Sequence, residues 1–177
     1  MFAHRVNGST VLRLLRLHHA DELFHLTDSN RAHLRQWLPW LDEVTEPAHS
    51  REFITSALKA YGESGVFACG IWHDSVLCGV IAYNFIDWNT RTAYPGYWLA
   101  ESHQSRGIVT DSCRALIRHA FDEYRLDRVI IHVATGNTRS QAIPDRLGFI
   151  RDGIHHNAEW LYDHYVDHTI NRLDRHA

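Results

Sequence analysis

A short loop ahead of a long predicted helix has the residues best suited to bind an anion. Segment 100–110 reads Ala-Glu-Ser-His-Gln-Ser-Arg-Gly-Ile-Val-Thr, and Gly107 stands where the helix begins. Backbone N–H groups in a first helical turn lack partners within the helix, and the helix dipole adds positive potential there. A pyrophosphate would suit this site, with Arg106 beside it as a cation. The alternative is a glycine that only lets the chain turn.

The hydrophobic pattern places this loop in a mixed α/β sheet. Alternating or continuous apolar runs predict strands near 11–17, 65–72, 76–86, 94–100, 128–134, 149–155 and 160–170. Helical spacing predicts helices that begin near 18 and cover 31–37, 48–61, 107–124 and 140–147. The strand-helix-strand unit 94–134 should be a right-handed crossover between parallel strands. The loop then lies at the carboxyl end of a strand, where open α/β sheets bind ligands.

Composition excludes several classes of protein. The 177 residues carry 18 basic and 21 acidic side chains with no run of one sign, so neither nucleic acid nor a membrane is an expected partner. The three cysteines have neither zinc-site spacing nor the even count of a disulfide scaffold, and the fifteen histidines show no metal motif. No export signal or spanning segment is present. We expect a single cytoplasmic domain over 1–177, with no metal.

Three motifs in order resemble the GNAT superfamily of N-acetyltransferases. Gln-Ser-Arg-Gly-Ile-Val at 104–109 resembles its acyl-CoA loop, R/Q-x-x-G-x-G/A. Segment 137–149, from Asn137 to Leu-Gly-Phe, resembles its N-x-x-S-x-x-x-x-x-x-L-G-F segment. Arg-Gln-Trp-Leu-Pro-Trp at 35–40 is similar to the substrate-side helix of the RimJ/RimL branch, which acetylates ribosomal-protein N-termini. The resemblance implies a mostly antiparallel mixed sheet of about seven strands, with a splayed parallel pair at the acyl-CoA cleft and helices on both faces.

The resemblance also implies acetyl-CoA as co-substrate and a set of residues that hold it. Backbone N–H groups of 106–110 would bind the pyrophosphate, the strand ending at 99 would pair with pantetheine amides, and Asn137 would contact the pantetheine arm. The implied coenzyme-binding residues are Trp98, Leu99, Gln104, Ser105, Arg106, Gly107, Ile108, Val109, Thr110, Asn137 and Ser140. Ser105 and Val109 depart from the motif, which usually has Gly at 105 and Gly or Ala at 109. If position 105 needs positive φ, a serine there costs about 1 kcal/mol.

The implied chemistry is direct attack of an amine on the thioester, with no covalent enzyme intermediate. By position, Ser140 matches the family's hydroxyl near the sulfur, where it would hydrogen-bond the departing thiolate. Glu159 matches a glutamate on the substrate side, as general base or as ligand of the ammonium group. The alternatives are a helix-turn serine, a helix-capping Asn137 and a solvated glutamate.

The four tryptophans Trp37, Trp40, Trp88 and Trp160 are candidates for the wall of an acceptor pocket, although aromatic residues more often belong to a core. The resemblance implies an N-acetyltransferase acting on a protein N-terminal α-amine, with a homodimer as a further expectation. One alternative acceptor is a small amine such as an antibiotic, polyamine or toxin. Another alternative is a non-catalytic acyl-CoA sensor.

Overall fold

The computed structural model describes residues 3–175, and in that range eight strands form one mixed sheet. The strands are β1 (Ala3–Arg5), β2 (Thr10–Leu14), β3 (Ala68–His73), β4 (Val76–Asp87), β5 (Thr92–Leu99), β6 (Arg128–Ala134), β7 (Ile150–Leu161) and β8 (His164–Asp174). Their order is β1-β2-β3-β4-β5-β6-β8-β7, and only β5 and β6 run parallel. The predicted fold class is confirmed. The additional strand β1 is three exposed residues without an apolar pattern.

The helices lie on both faces of the sheet. They are α1 (Ala20–Ser29), α2 (Arg31–Leu34), α3 (Pro47–Ser64), α4 (Ile108–Arg118) and α5 (Thr138–Arg146). Pro47 occupies the first turn of α3, and Gly65 ends that helix at φ 76°, which a glycine adopts without strain. Among the described residues, no helix is long and apolar enough to cross a bilayer.

Alternation along the strands builds two cores, one on each face. Ile81 and Tyr83 of β4 belong to the cluster that includes Leu116 of α4. Val80 faces the other way and packs with Leu23 of α1 and with α3. We call these the α4 face and the α1/α3 face. On the α1/α3 face the two helices pack mainly over β3 and β4, which leaves β6, β8 and β7 without a helix against them.

The parallel pair separates soon after it forms. Pairing between β5 and β6 is confined to Thr92 with Arg128 and Ala93 with Val129. Beyond Ala93, β5 keeps only β4 as a partner, while β6 is paired with β8 along its whole length. A gap therefore opens between β5 and β6 toward their carboxyl ends. Along this gap, the facing edges of the two strands have backbone N–H and C=O groups that no strand in the sheet pairs with.

Three elements have boundaries that differ from the predicted ones, because a local change in backbone conformation interrupts each of them. Helix α4 ends at Arg118 and continues as a wider π turn over 119–123, so the predicted helix 107–124 is two elements. Strand β7 contains an irregularity between His155 and Glu159, with Asn157 at φ 50°, which hides its full length from a period-two pattern. Helix α2 has only four residues, because the segment before Pro39 turns instead of continuing as helix.

Candidate active site

The loop before α4 has the backbone conformation that an anion site needs. Ser105 (φ 61°) and Gly107 (φ 75°) are both left-handed, and Gly107 is the residue that caps α4. The first hydrogen bond of the helix runs from the N–H of Asp111 to the carbonyl of Gly107. The N–H groups at 108–110 precede that bond and are unpaired within the helix. Position 105 does require positive φ, so serine carries a strain of about 1 kcal/mol there.

The side chains of this loop tie it to two helices. The amide nitrogen of Gln104 lies 2.8 Å from Nε2 of His33 in α2, and Arg139 in α5 donates to the amide oxygen of Gln104. The guanidinium of Arg106, which is predicted to lie beside the pyrophosphate, donates to the carbonyl of Ser102 at 3.1 Å. Arg139 is an exposed cation at this loop that the sequence analysis missed, because it is distant in the chain from residues 104–110.

Several predicted coenzyme residues have side chains packed in the core, which leaves their backbone groups to face a ligand. Leu99 and Ile108 are buried in the core on the α4 face, and Val109 packs against it. Thr110 is buried as well, while Trp98 packs against the core on the α1/α3 face. The glycine or alanine of the motif at 109 is therefore replaced by a valine whose side chain has a place in the core. We keep these residues as predicted coenzyme ligands through their N–H and C=O groups.

A hydroxyl pair spans the gap on the α4 face. The Tyr97 hydroxyl on β5 lies 3.2 Å from Oγ of Ser140 on α5. The side-chain oxygen of Asn137 accepts from the Ser140 N–H at 3.1 Å, so Asn137 caps α5 and fixes the serine's backbone. Burial raises the pKa of Tyr97, with a smaller contribution from Cys113, which keeps its hydroxyl protonated. Tyr97 is a functional candidate that sequence reasoning placed only as part of a strand.

The α1/α3 face of the gap contains a cavity of about 470 Å³. Its walls come from α1, α3, β4, β5 and the segment 38–44, and the residues that line it are Leu23, Thr27, Leu38, Trp40, Glu43, Val44, His49, Ser50, Glu52, Phe53, Ser56, Val80, Ala82, Asn84, Gly96, Tyr97 and Trp98. The predicted residue Trp40 is one of them. Trp37 lies against Gly136 just beyond β6 and lines a second, more open cavity of about 880 Å³ at the β7–β8 turn. The two tryptophans line two different cavities, and their role as walls of an acceptor pocket stays a prediction.

The turn between β7 and β8 is fastened over the segment that follows α2. The Tyr162 hydroxyl donates to the carbonyl of Leu38, and the Arg35 guanidinium lies 3.8 Å above the Tyr162 ring. Asp42 holds that guanidinium at 2.8 Å, and this hydrogen bond lowers the pKa of Asp42. Arg35 and Tyr162 of this bridge also line the second cavity, of about 880 Å³. No sequence pattern indicates this bridge, because Tyr162 and Leu38 lie far apart in the chain.

Glu159 and Trp160 lie on β7, at the edge of the sheet. A carboxylate oxygen of Glu159 is 3.5 Å from Nε2 of His168 on β8, and only about a third of the side chain is exposed. Trp160 stacks edge-on against Tyr165 at 4.9 Å and is half exposed. Neither residue lines the cavity under α1 and α3. Their roles toward an acceptor stay predictions.

Trp88 does not join the other three tryptophans. It stands in the turn between β4 and β5, at the end of the sheet where β5 and β6 are still paired. Its indole N–H donates to the carbonyl of Ser64 at 3.0 Å, and its ring packs against Tyr124. The expectation that Trp88 walls an acceptor pocket is corrected: it fastens the end of α3 to the sheet.

Comparison with known proteins decides the family. The family model described as "Acetyltransferase (GNAT) domain" matches residues 10–150, which include the anion loop, the gap and the hydroxyl pair. The chain belongs to the GNAT acetyltransferase family. YdaF of Bacillus subtilis (strain 168), provisionally named a ribosomal N-acetyltransferase, is 36% identical over 154 residues, 86% of this chain and 84% of YdaF. The ribosomal-protein-serine acetyltransferase of Escherichia coli (strain K12) is 32% identical over 163 residues, 92% and 91% of the two chains.

Solved GNAT structures agree with this fold over nearly the whole chain. RimL, an L7/L12 α-N-protein acetyltransferase in complex with coenzyme A, superposes with a TM-score of 0.94 at 28% identity, covering 98% of each chain. MccE, a Microcin C7 self-immunity acetyltransferase in complex with acetyl-CoA and AMP, gives a TM-score of 0.92 at 29% identity, covering 96% and 94%. This GNAT chain is an N-acetyltransferase that uses acetyl-CoA.

The residues of the site fit acetyl-CoA. The left-handed loop and unpaired first-turn N–H groups of α4 suit a pyrophosphate. The unpaired edge of β5 along the gap can pair with the amides of an extended pantetheine arm. In residues 3–175, no group of three or more His, Cys, Asp or Glu side chains is placed to hold a metal ion.

Proposed function

We propose that this enzyme acetylates the N-terminal α-amine of a protein, of the ribosomal-protein type. The observation that carries the proposal is the match, over more than four fifths of each chain, to two relatives named for ribosomal-protein acetylation. The site supports it. The cavity on the α1/α3 face is open and partly apolar, which suits the first residues of a flexible peptide better than a rigid polar ligand.

Each side of the gap has its own task in this reaction. Acetyl-CoA supplies the thioester, and the edge of β5 holds it extended through backbone hydrogen bonds. On the α4 face, the Ser140 and Tyr97 hydroxyls donate a hydrogen bond to the sulfur as negative charge develops on it. On the α1/α3 face the amine approaches, with Trp37 and Trp40 as pocket walls. Glu159, steadied by His168, supplies negative charge for the incoming ammonium group.

A mass-spectrometric acetylation screen tests the acceptor. Purified enzyme and acetyl-CoA are incubated with N-terminal hexapeptides of ribosomal proteins, with the same peptides blocked at the N-terminus, and with polyamines, aminoglycosides and free amino acids. We expect acetylation of unblocked peptides at the α-amine and none of the blocked controls. Acetylation of the small amines alone would overturn the proposal. Glu159→Gln should raise the KM for the peptide and leave the KM for acetyl-CoA unchanged, because Glu159 lies on the edge strand β7 and not at the loop 104–110 predicted to bind the coenzyme.

A small-molecule amine is the second candidate acceptor, and one observation favours it. MccE, whose structure holds AMP beside acetyl-CoA, resembles this chain as closely in fold as RimL does. A cavity of about 470 Å³ is also large enough for a drug-sized ligand. The screen above includes both classes and decides between them.

The cellular setting follows from the proposed acceptor. An enzyme that modifies ribosomal proteins works in the cytoplasm, and we propose that location. A homodimer is part of the same proposal, and light scattering coupled to size-exclusion chromatography measures it directly.

A further inference from the structure

One histidine stands on the acceptor side of the gap. In β6, Val129, Ile131 and Val133 are buried on the α4 face, so His132 points to the opposite, α1/α3 face. The parallel register pairs Ala93 with Val129, and extending it by three residues brings Gly96 level with His132. His132 is exposed on that face and lies on the strand directly across the gap from β5, although it is not one of the residues that line the cavity of about 470 Å³.

Two neighbouring strands leave space and a polar group near position 96, which is level with His132. Gly96 has no side chain there, and a Cβ on it would lie 2.3 Å from the side-chain nitrogen of Asn84 at the β4 bulge. The Tyr94 ring on β5 is 6.0 Å from the His132 ring. Asn84 on β4 and His132 on β6 therefore lie on the two sides of Gly96 on this face.

Burial and two neighbouring imidazoles favour the neutral ring of His132. Loss of solvent lowers its pKa from 6.5, and His168 on β8 and His155 on β7 lower it further. The two arginines on this face are occupied elsewhere. Arg172 on β8 pairs with Asp152 and Asp174, and Arg128 on β6 pairs with Asp174; the remaining carboxylate, Glu159 on β7, is 3.5 Å from His168.

We propose that His132 takes the proton from the acceptor's ammonium group. One N–H bond of the ammonium breaks as a new N–H bond forms on the imidazole, and the freed lone pair attacks the thioester carbonyl carbon. When the C–S bond breaks, the thiolate receives the second proton that nitrogen loses on becoming an amide, through the Ser140 and Tyr97 hydroxyls. The imidazolium then passes its proton to solvent, past His168 and Glu159. Acetyl-CoA and the ammonium form of the acceptor thus become amide, free thiol and one proton.

His132 suits this step better than Glu159 for two reasons. Strand β7 lies two strands beyond β6 in the sheet, so its backbone is about 14 Å from β5 at the usual strand spacing, and its carboxylate contacts His168 instead of the gap. An α-ammonium group has a pKa of about 8, and an imidazole near 6.5 is closer to it than a carboxyl near 4.3. In this assignment Glu159 is a positioning residue, which acts through His168.

The test is the pH dependence of kcat from pH 5 to 10, with any amine that the wild-type enzyme acetylates. Either a peptide or a small amine can serve as the acceptor in this test, so its outcome does not depend on the acceptor proposed above. For His132→Gln we expect kcat at pH 7 to fall at least tenfold at an unchanged KM for acetyl-CoA. In this variant the acidic limb of the kcat–pH profile should shift to higher pH, as far as the pKa of the amine. The rates of variant and wild type should converge by pH 9.5, where the amine is already deprotonated.

Two further variants make the outcome unambiguous. His132→Ala should recover activity in proportion to added imidazole, which a structural loss would not do. His4→Gln, on β1 at the far edge of the sheet, is the matched control and should keep the wild-type profile. An unmoved acidic limb in His132→Gln, or the same loss of rate at pH 7 and pH 9.5, would overturn the assignment. So would a limb that moves in Glu159→Gln but not in His132→Gln, since Glu159 would then be the base.

Discussion

Gly79 in β4 has no room for a side chain, and its position links stability to coenzyme binding. A Cβ there would lie 2.3 Å from the carbonyl oxygen of Trp98 and 3.1 Å from the Cα of Leu99. Both atoms belong to the backbone of β5, which pairs with β4 at this point. Rotation of a side chain cannot relieve such a contact, so Gly79→Ala must push the two strands apart.

The expected size of the effect follows from these distances. Non-bonded carbon contacts are comfortable at roughly 3.5 Å, so the strands must separate locally by about 1 Å. Overpacking of this kind costs roughly 1–3 kcal/mol, and we expect about 2 kcal/mol. For 177 residues the unfolding entropy is about 0.37 kcal/mol/K, so Tm should fall by about 5 °C. Because residues 98 and 99 are also predicted to hold the pantetheine arm, the Kd for acetyl-CoA should rise as well.

Calorimetry measures both quantities on the same protein, by thermal unfolding and by titration with acetyl-CoA. Gly153→Ala in β7 is the matched control: its added Cβ meets nothing within 4 Å, and it should keep or slightly raise Tm. A Tm for Gly79→Ala within 1 °C of wild type would refute the reasoning. So would an equal loss in Gly153→Ala, because the cost would then come from any strand glycine and not from the contact with β5.

The remaining predictions concern the loop, the hydroxyl pair and two residues outside the site. Ser105→Gly removes a strain of about 1 kcal/mol at φ 61° and should tighten acetyl-CoA binding by up to about fivefold in a calorimetric titration; weaker binding would contradict this. Tyr97→Phe and Ser140→Ala should each lower kcat about tenfold at unchanged KM, and the double variant should lose little more, because the two hydroxyls act as a unit. Burial lowers the pKa of His119, so between that pKa and 6.5 the folded protein binds fewer protons than the unfolded chain. Stability is therefore complete above about pH 6.5 and falls as the pH drops below it, and His119→Gln should flatten that slope in urea unfolding at pH 5 and 7.5. Trp88→Phe should lower Tm by a few degrees through loss of the bond to Ser64 and leave kcat unchanged; a fall in kcat would return Trp88 to the site.

The sequence sufficed for features that depend on neighbouring residues. Gly107 at a helix start, the strand predicted from the β-branched apolar run 128–134 and the capping position of Asn137 are local patterns, and the structure confirms these three elements. The family resemblance added the splayed pair, which no hydrophobic period can show. The sequence also showed that Ser105 departs from the glycine of the family motif. The cost of that departure could be predicted, because a serine with left-handed backbone carries a known strain.

Contacts between distant parts of the chain were out of reach. The Tyr97–Ser140 pair joins residues 43 apart, the Gln104–His33 contact 71 apart, and the Tyr162–Leu38 bond 124 apart. Each needs the strand order and the gap before its partners can be named. Trp88 was misplaced for the same reason: its aromatic type suits a pocket wall, but the β4–β5 turn carries it to the closed end of the sheet.

One face of the gap holds a proton donor, Tyr97, and the other face holds a proton acceptor, His132. Both groups are in the protonation state that their task requires over the same range of pH. On the α4 face, burial raises the pKa of Tyr97, so its hydroxyl keeps the proton that it donates toward the sulfur. On the α1/α3 face, loss of solvent and two nearby imidazoles lower the pKa of His132, so its ring stays able to accept one. From about pH 7 to 9 neither group changes state, which leaves the amine as the main titrating partner in the reaction. Separating donor and acceptor by a strand gap allows each pKa to be set by its own surroundings, without one group neutralising the other.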